Sequence, residues 1–166
     1  MIKRTIYLIL TIICMITIFM FSSEDGEKSQ STSDKAFADV IVDKTISIFP
    51  NSNRDNVMDI VSFIVRKSAH FTLFAILGFV LFGFINTYSL ELRKKIIITI
   101  IIGMLYAISD EIHQLFVPER AGQIRDVFID TLGVSFGTMV GCLIYRKRGE
   151  KIGRARHKTN SSSNLE

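Results

Sequence analysis

Hydrophobic residues in this chain gather in four long blocks, Thr5 to Phe21, Phe71 to Leu90, Ile96 to Ser109 and Val127 to Tyr145, the last interrupted only by Asp130. A helix rises about 1.5 Å per residue and needs roughly 20 residues to cross about 30 Å of hydrocarbon. The second and fourth blocks meet that length outright, and the first meets it by taking in Ser22 and Ser23. The third block has only 14 uncharged residues. It completes a crossing by carrying Asp110 and Glu111 into the outer part of the membrane. The pattern therefore predicts an all-α membrane protein, a four-helix transmembrane bundle with spans at about 5–23, 71–90, 96–115 and 127–145.

The connection between the first two blocks has a pattern of its own. Ser22 to Ser33 is polar and reads as a loop. From Asp34 to Phe49 the apolar residues Phe37, Val40, Ile41 and Ile48 recur at helical spacing, with Ser33 placed to cap and Pro50 to stop. Beyond Asn53, the residues Val57, Ile60, Val61, Ile64 and Val65 form a second amphipathic stretch that can run into the second span. Short interfacial helices on the outer face are the expectation.

Charge sets the orientation. Lys3 and Arg4 precede the first span, Arg93, Lys94 and Lys95 separate the second from the third, and seven basic residues against two acidic ones follow Tyr145. The opposite connections carry eight acids with six bases (Glu24 to Lys67) and four acids with two bases (Asp110 to Asp126). The positive-inside rule then puts both termini in the cytoplasm. The net charge of +4 belongs mostly to that cytoplasmic flank. It points to anionic lipid of the inner leaflet rather than to nucleic acid. The first span exceeds a signal-peptide core and lacks a small-residue cleavage site, so a retained anchor is expected. The basic, Ser/Asn-rich stretch 146–166 reads as a disordered cytoplasmic tail. Cys14 and Cys142 fall inside spans and read as buried thiols.

Candidate chemistry lies where charge meets hydrocarbon, an arrangement that costs a few kcal/mol per group and marks function by default. Asp126, Asp130, Gly133, Gly137 and Gly141 follow one another at steps of three and four and share a helix face. The glycines suit close helix packing, which turns the carboxylates inward. Asp110, His113 and Gln114 form a stripe on the third span, beside Glu111, and Lys67, His70 and Phe74 form one on the second. Three stripes can converge near the outer interface, with Arg120 and Arg125 supplied by the intervening connection. Singly, His70 and His113 also read as hydrogen-bonded core histidines, and Asp110 and Asp130 as structural partners of Arg125 or Lys67. No H-E-x-x-H pair, phosphate-cradling glycine loop or nucleophile elbow is present. Neither a metal nor another cofactor is expected.

The ordered set of these residues resembles the VanZ-like family of bacterial membrane proteins. The matching features are Phe21-Ser22-Ser23, Lys67-x-x-His70-Phe71, Ser109-Asp110-Glu111-x-His113-Gln114, Pro118-x-Arg120, Arg125-Asp126-Val127, and Asp130 with Gly133. They cover the chain to about Tyr145, making 1–145 one VanZ-like domain. The resemblance implies a multi-pass protein of the bacterial cell membrane, linked to the envelope and, through the founding member, to teicoplanin resistance. It implies no reaction and no substrate. The leading expectation is a protein that binds an anionic lipid or lipid-linked cell-wall precursor through Lys67, His70, Arg120 and Arg125, with Asp110, Glu111, Gln114, Asp126 and Asp130 orienting those groups. An enzyme modifying such a lipid is the alternative. Its candidates are His70 or His113 as general acid/base and Asp110, Glu111 or Asp126 as partners. A structural membrane partner is the third reading, and the oligomeric state is open.

Overall fold

The computed structural model describes residues 2–23, 32–48, 53–117 and 123–163. Five helices and no strand occur among them: α1 (Ile2–Ser22), α2 (Thr32–Ile48), α3 (Arg54–Ile85), α4 (Leu92–Gln114) and α5 (Ile124–Ser163). Four of these, α1, α3, α4 and α5 as far as Lys147, are long and apolar enough to cross a membrane. The molecule is an all-α membrane bundle.

Neighbouring spans run antiparallel. At one end Arg4 lies over the Tyr88 ring and Tyr7 hydrogen-bonds to Tyr145, so the start of α1, the α3–α4 turn and the apolar end of α5 meet there. At the other end Ser23, just beyond α1, reaches His113 near the end of α4. We call this second end the polar end. There α2 packs on the first turns of α3 through Ala38, Val42 and Val61, while Arg54 pairs with Asp43 at 2.7 Å. The α3 helix has 32 residues, about 48 Å at 1.5 Å each. That is longer than the roughly 30 Å of a hydrocarbon core, and α2 packs on the first turns of the excess.

Local sequence sets the helix ends. Asn53 caps α3, its side-chain oxygen accepting from the Asp55 N–H at 2.9 Å. The same helix stops at Ile85, short of the Leu90 expected from hydropathy. Asn86 and Thr87 turn the chain there, and the Lys95 ammonium donates to the Asn86 side-chain oxygen at 2.8 Å. At the chain's other end α5 continues to Ser163, where the composition of 146–166 reads as disordered. No proline interrupts that stretch, and its Lys, Arg and Glu residues are good helix formers.

The centre is built from Ile18, Phe74, Leu77, Ala107 and Val134, with α3 against α5 as the most extensive interface. Lipid is as apolar as leucine, so helices in a bilayer are held by close packing rather than by escape from water. Glycines make that packing possible. A Cβ at Gly133 would stand 2.6 Å from the Phe71 carbonyl oxygen, and one at Gly137 would overlap the Ala75 carbonyl. Large apolar side chains such as Ile13, Ile16, Leu105, Leu132 and Phe136 point outward, as a lipid-facing surface requires. Thr11, Thr17, Thr131 and Thr138 bond their own helix four residues back, which satisfies their hydroxyls without a water partner.

Candidate functional site

Helical spacing brings charge together at the polar end. On α3, Phe63, Arg66, Lys67 and His70 fall at steps of three, one and three; on α4, Glu111 and Gln114 are one turn apart; on α5, so are Asp126 and Asp130. These residues, with Gln123 and Ile129, line a cavity of about 240 Å³ between the three helices. Its buried charge is answered locally. The Lys67 ammonium pairs with Asp126 Oδ2. Glu111 Oε2 accepts from the Gln123 N–H at 2.8 Å, directly before α5, where the helix dipole favours an anion. Gln114 donates to Asp110 Oδ2 at 3.0 Å.

The floor is more acidic than its bases account for. Asp110 and Asp130 are 3% and 1% exposed. With His70 they offer three ligand-type atoms within 4.8 Å of one another. His70 Nδ1 stands 3.9 Å from Asp130 Oδ2, longer than a hydrogen bond. Around the cavity three fixed cations, Arg66, Lys67 and, at its edge, Arg125, face four carboxylates, Asp110, Glu111, Asp126 and Asp130.

The remaining residues singled out from sequence are placed differently. Arg125 lies at the cavity's edge, its guanidinium 5.6 Å from the Phe63 ring centroid and donating to Gln123 Oε1 at 3.2 Å. Lys67 shares the same ring at 5.5 Å. His113 does not line the cavity. It stacks on Phe19 with centroids 4.3 Å apart and sits 3.0 Å from Ser23 Oγ. Ser23 Oγ gives its own hydrogen to the Phe19 carbonyl, so His113 Nε2 is the donor in that contact. This contact joins α4 to α1. Arg120 lies outside the described residues. Gly133, Gly137 and Gly141 face α3 below the carboxylates.

Phe63, Arg66, Gln123 and Ile129 line the cavity without having been singled out from the sequence. Phe63 and Arg66 carried a signal, since they sit seven and four residues before His70 on the same helix. Gln123 carried none, because it lies in the connection before α5, where its backbone N–H meets Glu111 and its side-chain oxygen accepts from Arg125.

A family model described as VanZ/LLP1 matches residues 7–145. The chain belongs to the VanZ/LLP1 family. The matched stretch takes in every cavity residue and ends where the apolar part of α5 does. With four apolar helices, family membership makes this a multi-pass membrane protein. No curated protein and no solved structure matches the chain.

Proposed function

We propose that this VanZ-family protein binds the anionic headgroup of a membrane lipid or lipid-linked cell-wall precursor at its polar end, facing outward from the cell. The observation that carries the reading is the cavity of about 240 Å³ whose wall includes Arg66 and Lys67 and whose edge holds Arg125. An ammonium has three donor hydrogens, so Lys67 can keep Asp126 and still donate to a phosphate oxygen. Arg125 brings a planar fork suited to phosphate. Asp126 holds Lys67 in place, and Glu111, Gln114 and Asp126 can accept from a sugar hydroxyl or an amine. The lipid's tails would lie on the apolar surface below, where Phe128 and Leu132 are exposed on α5. The basic continuation of α5 would rest on anionic lipid of the opposite leaflet. A contribution to teicoplanin tolerance follows if the bound lipid is a cell-wall precursor.

The test is a thermal titration of the protein in mild detergent with phosphatidylglycerol and with a polyprenyl phosphate. A ligand that binds only the folded state raises the melting temperature with saturation, by an amount worth about 2.7 kcal/mol at a hundredfold excess over Kd. The reading expects such a rise with one of the two, reduced in Arg125→Ala. No saturable rise with either would contradict it.

A further inference from the structure

We infer that His70, Asp110 and Asp130 bind one divalent cation at the floor of the cavity, with an imidazole nitrogen and two carboxylate oxygens as its protein ligands. The three residues come from three helices, so the arrangement is tertiary rather than an accident of one helix face. Their ligand atoms lie within 4.8 Å of one another. Two donors on one ion at bonds of about 2.1 Å stand about 3–4 Å apart, so only a small side-chain adjustment separates this spacing from a coordinated one.

A second observation points the same way. Asp130 is 1% exposed, and its Oδ2 has no hydrogen-bond partner among the described residues. A buried acceptor left in that state is costly, and a buried carboxylate oxygen more so. Lys67 pairs with Asp126 and makes no hydrogen bond to this oxygen. A divalent ion would meet Oδ2 and offset the surplus of carboxylates around the cavity at once.

The donor set narrows the ion. One imidazole with two carboxylates suits Zn²⁺ or Mn²⁺ better than Ca²⁺, which takes six to eight oxygens. Three protein ligands leave coordination positions open toward the cavity. There a phosphate oxygen can complete the shell, a consequence that rests on the headgroup reading, whereas the ion site itself does not.

The experiment uses the full chain, stripped of metal by chelator and of lipid by detergent exchange. Zn²⁺ and Mn²⁺ are titrated calorimetrically, and bound metal is counted by mass spectrometry. One ion per chain is expected, with affinity lowered at least about tenfold in Asp130→Asn and in His70→Gln, since loss of a supporting residue alone typically costs that much. No saturable uptake by the wild type, or uptake that both variants keep, would overturn the proposal. Should either variant fail to elute like the wild type, Co²⁺ absorption on the unaltered protein decides. A Co²⁺ spectrum that departs from that of the hydrated ion in position or intensity, saturates at one equivalent and reverts on adding Zn²⁺ supports the site, and a spectrum unchanged from that of hydrated Co²⁺ overturns it. With lipid absent, failed uptake removes the ion and leaves the headgroup to the lipid titration. Uptake without any lipid effect removes the headgroup alone.

Discussion

Lys67 and Asp126 show how each buried charge at the polar end depends on its neighbour. The Asp126 side chain is 8% exposed, its Oδ2 is paired with Lys67, and its Oδ1 has no hydrogen-bond partner among the described residues. Deleting one member of a buried ion pair strands the other, at a cost of about 3–5 kcal/mol, whereas replacing both by apolar groups is often close to neutral. Lys67→Met should therefore lower the melting temperature in detergent strongly. The double variant Lys67→Met with Asp126→Leu should recover most of the loss. If the double variant melts as low as the single one, the pair is not the local charge balance that its geometry indicates. His113 is a contrasting case, because its hydrogen bond and ring stacking tie α4 to α1. Its spacing from Asp110 and Gln114 places it in their stripe, yet Asp110 and Gln114 are buried toward the cavity side while His113 turns to α1. A helix packed between two neighbours has two functional-looking faces, and spacing alone does not say which face meets which neighbour.

Between elements, the α3–α5 interface carries the site, because it fixes Lys67 and His70 against Asp126 and Asp130. Two glycines separate the effects of a backbone clash from those of a side-chain clash. A Cβ at Gly137 would overlap the Ala75 carbonyl of α3, which cannot rotate away, whereas one at Gly141 would meet Phe82 Cδ1 at 3.0 Å, part of a ring that can. Overpacking typically costs about 1–3 kcal/mol. Gly137→Leu should exceed that range and lose the compact form on gel filtration, while Gly141→Ala should stay near its lower end. Equal thermal shifts in the two would argue against so close an approach of the helices. The stripe of Gly133, Gly137 and Gly141 is visible in the sequence because small residues at a period of four on a membrane helix mark a close-packed face. The length of α3 is harder to see. Arg66, Lys67 and His70 break the hydropathy just where the helix runs on unbroken, so a reading by apolar blocks starts the span at Phe71 and passes over Phe63 and Arg66. Likewise composition alone favours disorder over 146–166, where α5 runs on to Ser163 with no proline to stop it.

At the scale of the whole molecule, the antiparallel order of α1, α3, α4 and α5 puts the α3–α4 turn and the start of α1 at the end opposite the cavity. The positive-inside rule assigns that end to the cytoplasm, because Lys3, Arg4, Arg93, Lys94 and Lys95 lie there. Single cysteines introduced at Thr87 and Gln123, in a chain whose Cys14 and Cys142 are replaced by Ser, test this in cells. An impermeant maleimide should label Gln123→Cys in intact cells and Thr87→Cys only after permeabilisation, and the reverse pattern would invert the topology. Four spans and their charge bias are legible without a structure, because the bilayer imposes lengths and signs directly on the sequence. The floor formed by His70 with Asp110 and Asp130 is not, since it depends on how three helices rotate about their axes.

The most direct test of the central claim is native mass spectrometry of the protein purified in mild detergent, with the copurifying lipid identified, for the wild type and Arg125→Ala. The headgroup account predicts a discrete phospholipid or polyprenyl species on the wild type that is lost or sharply reduced in Arg125→Ala. The same bulk lipid at the same occupancy on both proteins would contradict it and leave the cavity's charges as internal pairing.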